Sequence, residues 1–311
     1  MATEPLYRPD HVGDWGIPTV VSGGEYGTDT FARPDGVSLF FRYWTQPNAQ
    51  APVLVLVHGL GAHTGWFVDM GSALNERGLA VYAVDLRGFG RSGGPRGHVR
   101  RGADLVDDCA AFVAEVRKRR PGALVYLLGH SMGAILATYV AAGDARSGAN
   151  TLAGLILLNP WIQQTKGASP PLGTTVRILA GGLVGSDKAP ETSAGSESRT
   201  MTANPEARQM LDADTYWVRE RSAAFLFQVG GLLRGGVVRQ ARRVRAPALV
   251  IQCGGDQVVV HGASRRLYEA LGVTDKTWKV VPGMMHDAEL EAERGPLDDL
   301  IAGWIERYQG E

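Results

Sequence analysis

Short apolar runs recur along this chain and alternate with segments of helical character. Five uninterrupted apolar residues are typical of a strand that is buried on both faces of a sheet. Runs of five occupy residues 53–57, 80–84 and 124–128, a run of four occupies 155–158, and 248–252 has four apolar residues followed by Gln252. A further strand is predicted at 277–281. Between them, residues 104–120 place their apolar side chains on one helical face. The alternation predicts an α/β fold with a mainly parallel central sheet flanked by helices.

The alternation stops between residues 161 and 245, where no buried-strand pattern occurs. Glycines, prolines and helical segments such as 211–233 fill this stretch. We therefore expect residues 161–245 to form an inserted, mostly helical cap over the carboxyl ends of the strands, where open α/β sheets bind ligands. The core then comprises residues 31–160 and 246–311. Residues 1–30 are rich in glycine, proline and acidic residues and are expected to form an irregular arm.

Ser131 stands in a sharp turn between a predicted strand and an alanine-rich predicted helix. Its surroundings read Gly129-His130-Ser131-Met132-Gly133. A strained strand-to-helix turn requires small residues on either side, so the two glycines favour a nucleophile elbow that exposes the serine hydroxyl above the sheet. The Met132 amide, at the start of the helix, can donate to a negative charge that develops beside the hydroxyl.

A serine hydroxyl becomes a good nucleophile only when a base accepts its proton and an acid holds that base in the correct tautomer. Asp256 and His286 each follow the carboxyl end of a predicted strand. With Ser131 they occur in the Ser, Asp, His order found in α/β-hydrolases. We therefore predict Ser131 as nucleophile, His286 as base and Asp256 as orienting acid.

Other residues could fill these roles on residue type alone. Asp275 precedes the last strand, and Asp287 is too close in sequence to His286 to reach its ring easily, so Asp256 is preferred as the acid. His286 alone follows the last strand. The other candidate bases are His58, His63, His98, His130 and His261.

The loop after the first buried strand reads His58-Gly59-Leu60-Gly61. A glycine-rich loop at the carboxyl end of a central strand brings backbone N–H groups close to a ligand. The Leu60 amide is therefore predicted as the second oxyanion donor, beside that of Met132.

Composition excludes several classes of function. The 311 residues carry 32 Lys and Arg and 32 Asp and Glu, a formal net charge of +0, which argues against an extended nucleic-acid surface. The glycine-rich loop 85–98 lacks the Gly-Lys-Ser/Thr ending of a phosphate-binding P-loop and the G-x-G-x-x-G spacing of a dinucleotide-binding site. We therefore do not expect nucleotide binding. We expect no cofactor and no metal.

Two cysteines, Cys109 and Cys253, make no disulfide framework. We see neither a secretory signal nor a membrane-spanning apolar stretch. The protein is therefore expected in the cytoplasm, a reducing compartment, with the possibility of peripheral membrane contact through the cap and its arginine cluster.

Several motifs together resemble the monoacylglycerol lipase and lysophospholipase group of the α/β-hydrolase superfamily. They are the serine elbow, the segments 58–63, 85–92 and 96–98, and Pro282-Gly283 before His286. The resemblance implies the same triad and the same two oxyanion amides. In that group a glutamate and an arginine commonly stand where this chain has Ala62 and Trp66, at the alcohol-binding end of the pocket.

The predicted substrate contacts lie near the serine and in the cap. Apolar cap residues are candidates for an acyl-chain tunnel, since small-molecule pockets are usually apolar and covered. The substrate-binding residues that we predict are His63, Trp66, Trp161, Leu179, Leu183 and Phe225.

The sequence thus predicts a serine hydrolase that cleaves carboxylic esters of apolar acyl groups, such as a small-molecule ester or lipid. A lactonase, a carbon–carbon bond hydrolase or a peptidase could use the same triad, and a hydrolase fold can also bind a ligand without turnover. Haloalkane dehalogenases and epoxide hydrolases are disfavoured, because those relatives have a carboxylate at the position of Ser131.

Overall fold

The computed structural model describes residues 7–12, 18–20, 26–166, 169–188, 198–234 and 236–309. Its strands are β1 (Tyr7–Val12), β2 (Pro18–Val20), β3 (Gly27–Ala32), β4 (Ser38–Trp44), β5 (Val53–Val57), β6 (Ala80–Val84), β7 (Val125–His130), β8 (Gly154–Leu158), β9 (Ala248–Cys253) and β10 (Lys276–Val281). Its α-helices are α1 (Val68–Glu76), α2 (Gly102–Arg119), α3 (Met132–Ser147), α4 (Leu172–Leu183), α5 (Ser198–Met201), α6 (Pro205–Ala213), α7 (Ala223–Arg234), α8 (Val237–Ala241), α9 (His261–Ala270) and α10 (Gly295–Glu306). Short 3₁₀ helices lie at Thr64–Phe67 and Ala288–Leu290.

Eight strands form one sheet in the order β10-β9-β8-β7-β5-β6-β4-β3. The strands from β10 to β6 run parallel, and β4 and β3 join antiparallel at the other end. Parallel neighbours need crossover connections, which the helices between the strands supply. The predicted α/β class with a mainly parallel sheet is confirmed.

The central strands are buried on both faces, as their uninterrupted apolar sequences predict. Every residue of β5 to β9 is buried. One apolar cluster packs α2 and α3 against one face of the sheet, and a second packs α1 and α10 against the other. Strand β10 differs, because it lies at the sheet edge, pairs with β9 alone in the described part of the chain, and leaves Lys279 and Val280 exposed.

The N-terminal arm is more regular than expected. Strands β1 and β2 pair antiparallel, and β3 begins at Gly27, where it pairs with Tyr43 of β4. The prediction of a wholly irregular arm over residues 1–30 is therefore wrong for these segments, because strand pairing uses backbone groups that a glycine- and proline-rich composition does not reveal. Residues 1–6, 13–17 and 21–25 lie outside the described residues.

Helices α4 to α8 occupy the stretch between β8 and β9 where the sequence shows no strand pattern. Helix α4 approaches α7 closely at two glycines. A Cβ on Gly182 would lie 2.2 Å from the Cβ of Phe227, and a Cβ on Gly181 would lie 2.7 Å from that of Ala223. The glycine side of α4 therefore faces α7. No helix within the described ranges has the length and apolar character needed to cross a membrane.

The long helix predicted near the end of the cap is interrupted, because residues 214–222 are not helical. This segment crosses to the core. The N–H of Val218 donates to the carbonyl of Gly61, and the N–H of Ser222 donates to that of Gly97. These loops follow β5 and β6, so the segment lies against the carboxyl ends of those strands.

Candidate active site

Ser131 occupies the turn between β7 and α3 in a backbone conformation that few L residues adopt, with φ 54° and ψ −113°. Small neighbours permit this turn. A Cβ on Gly129 would lie 2.2 Å from the carbonyl oxygen of Gly133, and a Cβ on Gly133 would lie 2.2 Å from the carbonyl oxygen of Val57. A larger residue at either glycine would force β5, β7 and α3 apart. The two glycines therefore allow the helix to start directly after the serine.

The structure brings Ser131, His286 and Asp256 into one hydrogen-bonded relay. Nε2 of His286 lies 2.9 Å from Oγ of Ser131, and Nδ1 lies 2.8 Å from Oδ2 of Asp256. All three side chains are buried. Because Nδ1–H is donated to the carboxylate, Nε2 is left to accept the serine proton. The relay can therefore activate the hydroxyl as a nucleophile.

Asp256 is held in its ionised form despite its burial. Its Oδ1 accepts the N–H groups of Val258 and Val259 at 2.8 and 3.1 Å. Burial alone would raise the pKa of Asp256, but His286 and these N–H groups outweigh burial and hold the pKa below its usual value. The carboxylate is thus available at neutral pH to orient the imidazole.

The two predicted oxyanion amides belong to segments that adjoin Ser131. Met132 is the first residue of α3, and the first N–H groups of a helix have no acceptor within it. Leu60 follows Gly59, where a Cβ would lie 3.1 Å from the Cβ of Ser131. The loop therefore passes directly against the serine. The donor roles of Leu60 and Met132 are compatible with these positions and stay predictions.

His58 fixes this loop. Its Nε2 accepts the N–H of Leu86 at 2.9 Å, so Nδ1 carries the proton and donates to the carbonyl of Gly59 at 2.8 Å. Burial lowers the pKa of His58 to about 4. The ring is therefore neutral at physiological pH, in the tautomer that both hydrogen bonds require.

Two other candidate bases are bound elsewhere. Nδ1 of His98 lies 2.9 Å from Oγ of Ser222, and Nε2 of His261 lies 3.2 Å from the backbone oxygen of Asp256. His286 is thus the histidine that contacts the Ser131 hydroxyl.

His130, directly before Ser131, belongs to a buried charged cluster with Glu289 and Asp287. Its Nδ1 lies 3.2 Å from Oε1 of Glu289, and its Nε2 lies 3.7 Å from Oδ1 of Asp287. Burial opposes a charge on His130, but Glu289 and Asp287 outweigh it and raise the pKa of His130 to about 9. Burial and the charge of Glu289 raise the pKa of Asp287 to about 7. A positively charged His130 ring therefore lies beside His286 at neutral pH.

In the described part of the chain, His130, His286 and Asp287 hold possible metal-ligand atoms within 4.8 Å of one another. Both ring nitrogens of His286 already serve Ser131 and Asp256. A metal ion bound by this group would therefore compete with the relay.

The structure shows what the polar atoms of His63 and Trp66, two predicted substrate contacts, are bonded to. Oδ2 of Asp214 accepts Nε2–H of His63 and Nε1–H of Trp66, each at 2.8 Å. Its Oδ1 accepts the N–H groups of Tyr216 and Trp217. Asp214 thus joins these buried side chains of the loop after β5 to residues 214–217, and the substrate contacts of His63 and Trp66 stay predictions. Sequence reasoning missed Asp214, because nothing local connects it to residues about 150 positions earlier.

The remaining predicted contacts have different environments. Trp161 lies beside the nucleophile, where its N–H donates to the carbonyl of Ser131 at 3.2 Å. Leu179 and Leu183 are 39% and 77% exposed, and Phe225 is fully buried with its ring 5.3 Å from that of Phe89. Helical spacing shows which residues share a face but not where that face points, so the roles of these three residues in an acyl-chain tunnel stay predictions. Trp161 stays a prediction.

Asn159 is a site residue that sequence reasoning missed. It directly follows β8, and its side chain bonds both the N–H of Cys253 and the carbonyl of His286. The only signal in the sequence is a polar residue that ends an apolar strand at the edge where α/β sheets bind ligands.

Comparison with known proteins agrees with this geometry. A family model described as "Serine aminopeptidase, S33" matches residues 48–293, which is most of the chain. The chain belongs to this family. As a member of it, the protein is a serine hydrolase with the α/β-hydrolase fold.

The family member also matches monoacylglycerol lipases, which confirms the resemblance found in the sequence. It is 30% identical over 277 residues to the monoacylglycerol lipase of Mycolicibacterium smegmatis, covering 89% of this chain and 95% of that protein. It is 30% identical over 256 residues to the human monoglyceride lipase, covering 81% and 80%. A solved structure of a soluble variant of the Saccharomyces cerevisiae monoglyceride lipase matches with a TM-score of 0.78 and 18% identity, covering 94% of this chain and 97% of that one. This last likeness shows the fold alone.

Proposed function

We propose that this protein hydrolyses carboxylic esters of apolar acyl groups through a covalent acyl-enzyme. The observation that carries the proposal is the buried relay, with 2.9 Å between His286 and Ser131 and 2.8 Å between His286 and Asp256. The names of the relatives support an ester as the substrate, since the mycobacterial and human proteins are monoacylglycerol and monoglyceride lipases.

In the first half of the proposed reaction, Oγ of Ser131 attacks the ester carbonyl carbon while Nε2 of His286 takes the hydroxyl proton. The carbonyl oxygen becomes an oxyanion, which the amides of Leu60 and Met132 stabilise. The C–O bond to the alcohol then breaks, and His286 returns its proton to the departing oxygen. Asp256 stabilises the imidazolium that forms between these proton transfers.

The second half repeats this chemistry with water. His286 removes a proton from a water molecule, whose oxygen attacks the acyl carbon bound to Ser131. Collapse of the second oxyanion breaks the bond to Oγ, and His286 returns the proton to the serine. The products are a carboxylic acid and the alcohol, and the enzyme is regenerated.

Rival reactions share the first attack. The family description names an aminopeptidase, so a peptidase is the alternative that a specific observation favours. Lactones and carbon–carbon bonds next to a carbonyl also fit the triad. A panel of p-nitrophenyl esters, monoacylglycerols, lysophospholipids, lactones and aminoacyl p-nitroanilides distinguishes these classes. We expect the esters to have the highest kcat/KM, and faster cleavage of the anilides would overturn the ester assignment.

The nucleophile is tested by labelling with a fluorophosphonate. Wild type is expected to be labelled and Ser131→Ala is not. Ser147→Ala is the matched control, because this serine is exposed at the far end of the same helix. A folded wild type that is not labelled, or Ser131→Ala that is labelled as strongly as wild type, would refute the proposed mechanism.

The outward side of α4 supports contact with lipid surfaces. Its apolar residues are exposed, with Leu172 at 81%, Val176 at 56% and Leu183 at 77%, and Val184 after the helix is 81% exposed. Exposed apolar patches of this kind mark interaction sites. We therefore propose reversible binding of the cap to the surface of lipid aggregates. A cytoplasmic location is also part of the proposal, and the free, buried thiols of Cys109 and Cys253 are compatible with it.

A further inference from the structure

The backbone carbonyl of His286 accepts hydrogen bonds from two side chains. Nδ2 of Asn159 lies 2.7 Å from this oxygen, and Nε2 of His130 lies 2.9 Å from it. All three residues are buried. The triad mechanism does not use either donor. Their shared target is nevertheless the residue whose ring must accept the serine proton.

The position of His286 explains why such support matters. Its loop follows β10, an edge strand that pairs with β9 alone among the residues that the structure describes. The loops after β7 and β9 emerge from strands that are paired on both sides. The base therefore stands on the least supported of the three strands that carry the triad. Two side-chain hydrogen bonds supply part of the restraint that a second neighbouring strand would give.

Asn159 also connects the base to the acid. Its Oδ1 accepts the N–H of Cys253 at 2.7 Å and Nε2–H of Gln252 at 3.2 Å. The same nitrogen of Gln252 lies 3.4 Å from Oδ2 of Asp256. One amide thus joins the end of β9 to the loop after β10. Asn159 adopts a φ of 44°, a left-handed conformation that asparagine tolerates better than most residues.

His130 is restrained from the opposite side. Its Nδ1 lies in ion-pair contact with Oε1 of Glu289 at 3.2 Å, and the ring centroids of His130 and His286 are 5.0 Å apart. The charged His130 ring carries a proton on both nitrogens, so it presents Nε2–H as a donor to the carbonyl of His286. His130 directly precedes Ser131 in the chain, and its side chain bonds the backbone carbonyl of His286. His130 therefore connects the nucleophile to the base.

We propose that Asn159 and His130 are positioning residues that hold the backbone of His286 and thereby set the distance from its Nε2 to the Ser131 hydroxyl. This inference rests on the proposed function, because it concerns the same relay. Both residues act on the position of the base and not on the substrate, so their loss lowers kcat and leaves KM nearly unchanged. A small displacement of a catalytic group can cost about 100-fold in rate.

The first test separates the donor role of the Asn159 side chain from its acceptor role. Asn159→Ala removes both, whereas Asn159→Asp keeps an acceptor for the Cys253 N–H and removes the donor to His286. We expect kcat per titrated active site to fall by roughly 10- to 100-fold in both variants, with KM changed less than about 3-fold. Asn150→Asp is the matched control, because Asn150 is exposed and has the same φ of 44°. It is expected to keep wild-type kinetics.

The second test uses the geometry of His130. In His130→Gln the side-chain amide reaches the place of Nε2 and still donates to the carbonyl of His286. In His130→Asn the amide reaches only the place of Nδ1. Both variants remove the positive charge beside Glu289 equally. We expect His130→Gln to retain several times the kcat of His130→Asn.

A readout that needs no turnover completes the design. The proton between Nδ1 of His286 and Asp256 gives a far-downfield ¹H NMR signal in wild type. In Asn159→Ala and His130→Asn we expect this signal to shift or broaden. An unchanged signal together with unchanged kcat would overturn the inference. Equal kcat for His130→Gln and His130→Asn would overturn the role of His130. A wild type that shows the signal but cleaves no ester would refute the proposed function, and the signal in the variants would still decide the positioning role.

Discussion

Two buried histidines of the site show how strongly the surroundings of an imidazole change its pKa. The pKa of His58 is lowered to about 4 by burial, whereas that of His130 is raised to about 9 because Glu289 and Asp287 outweigh burial. Each ring stands in a conspicuous motif, His-Gly-Leu-Gly or Gly-His-Ser-Met-Gly. The motif therefore supplies the imidazole, and residues far along the chain decide whether it is neutral or charged.

Replacement of Asp256 by asparagine tests the orienting acid. An amide presents a donor as well as an acceptor, so it permits the wrong tautomer of His286 while it preserves size. We expect Asp256→Asn to lower kcat by about 10⁴-fold. Steady-state kinetics with a p-nitrophenyl ester measures the effect. Asp275→Asn, at the exposed rival acid, is expected to match wild type, and a similar loss there would contradict the assignment.

Asp287 makes stability depend on pH. Its pKa is raised from 3.8 to about 7 in the fold, so the folded state binds this proton more tightly than the unfolded chain. The contribution to stability is present below pH 4 and is lost as pH rises through 7. We expect Asp287→Asn to be more stable than wild type at pH 8, by about 1–4 kcal/mol, and equal to it near pH 4. Urea unfolding at both pH values is the measurement. Asp212→Asn, at an exposed aspartate, is the control and is expected to have the stability of wild type at both pH values. If Asp287→Asn were stabilised equally at pH 4 and pH 8, this explanation would be wrong.

At the scale of elements, α4 depends on small residues along the side that faces α7. We expect Gly182→Ala to destabilise the protein by about 1–3 kcal/mol, because the added Cβ meets Phe227 at 2.2 Å. Gly173, in the same helix, has nothing within 4 Å of an added Cβ. Gly173→Ala should therefore stabilise the protein by about 0.5–1 kcal/mol through helix propensity. Thermal unfolding compares the two. Equal shifts in melting temperature would show that α4 does not pack on α7 in this way.

The outward side of α4 is tested by Leu172→Ser and Leu183→Ser. We expect the double variant to lose binding to phosphatidylcholine vesicles in a sedimentation assay, because both side chains are more than three-quarters exposed and bind by burying apolar area. Its activity on a soluble p-nitrophenyl ester should be unchanged. Leu124→Ser is the control, since Leu124 is 43% exposed and precedes β7 at the opposite end of the sheet. If Leu124→Ser lost vesicle binding to the same extent, α4 would not be the membrane-binding surface.

At the scale of the whole molecule, neighbouring strands assemble the site. Strands β7, β8, β9 and β10 are adjacent. The segments that follow them carry, in this order, Ser131, Asn159, Asp256 and His286. Parallel strands place their carboxyl ends at one edge, so residues 155 positions apart in sequence meet within hydrogen-bond distance. The sheet order is therefore as much a part of the relay as the side chains.

The same view explains what the sequence could and could not predict. The strands and the relay leave local signals: apolar runs of four or five residues, two glycines around Ser131, and polar residues just after strands. Asp214 leaves none, because its partners His63 and Trp66 belong to another part of the chain. Leu183 carries an apolar signal that a buried and an exposed helix share. A local sequence pattern therefore cannot predict hydrogen bonds between distant residues, or whether the apolar face of a helix points to the core or to solvent.

The edge position of β10 has a consequence for heat inactivation. A strand with one neighbour can separate from the sheet without unfolding the rest, and such partial openings cost less free energy than global unfolding. Catalysis should therefore cease several degrees below the calorimetric transition, while the protein still recovers on cooling. Deuterium uptake would be expected to reach the amides of β10 before those of β7. The temperature at which activity is lost is then set by the local stability of the edge strand β10 and not by the stability of the central strands.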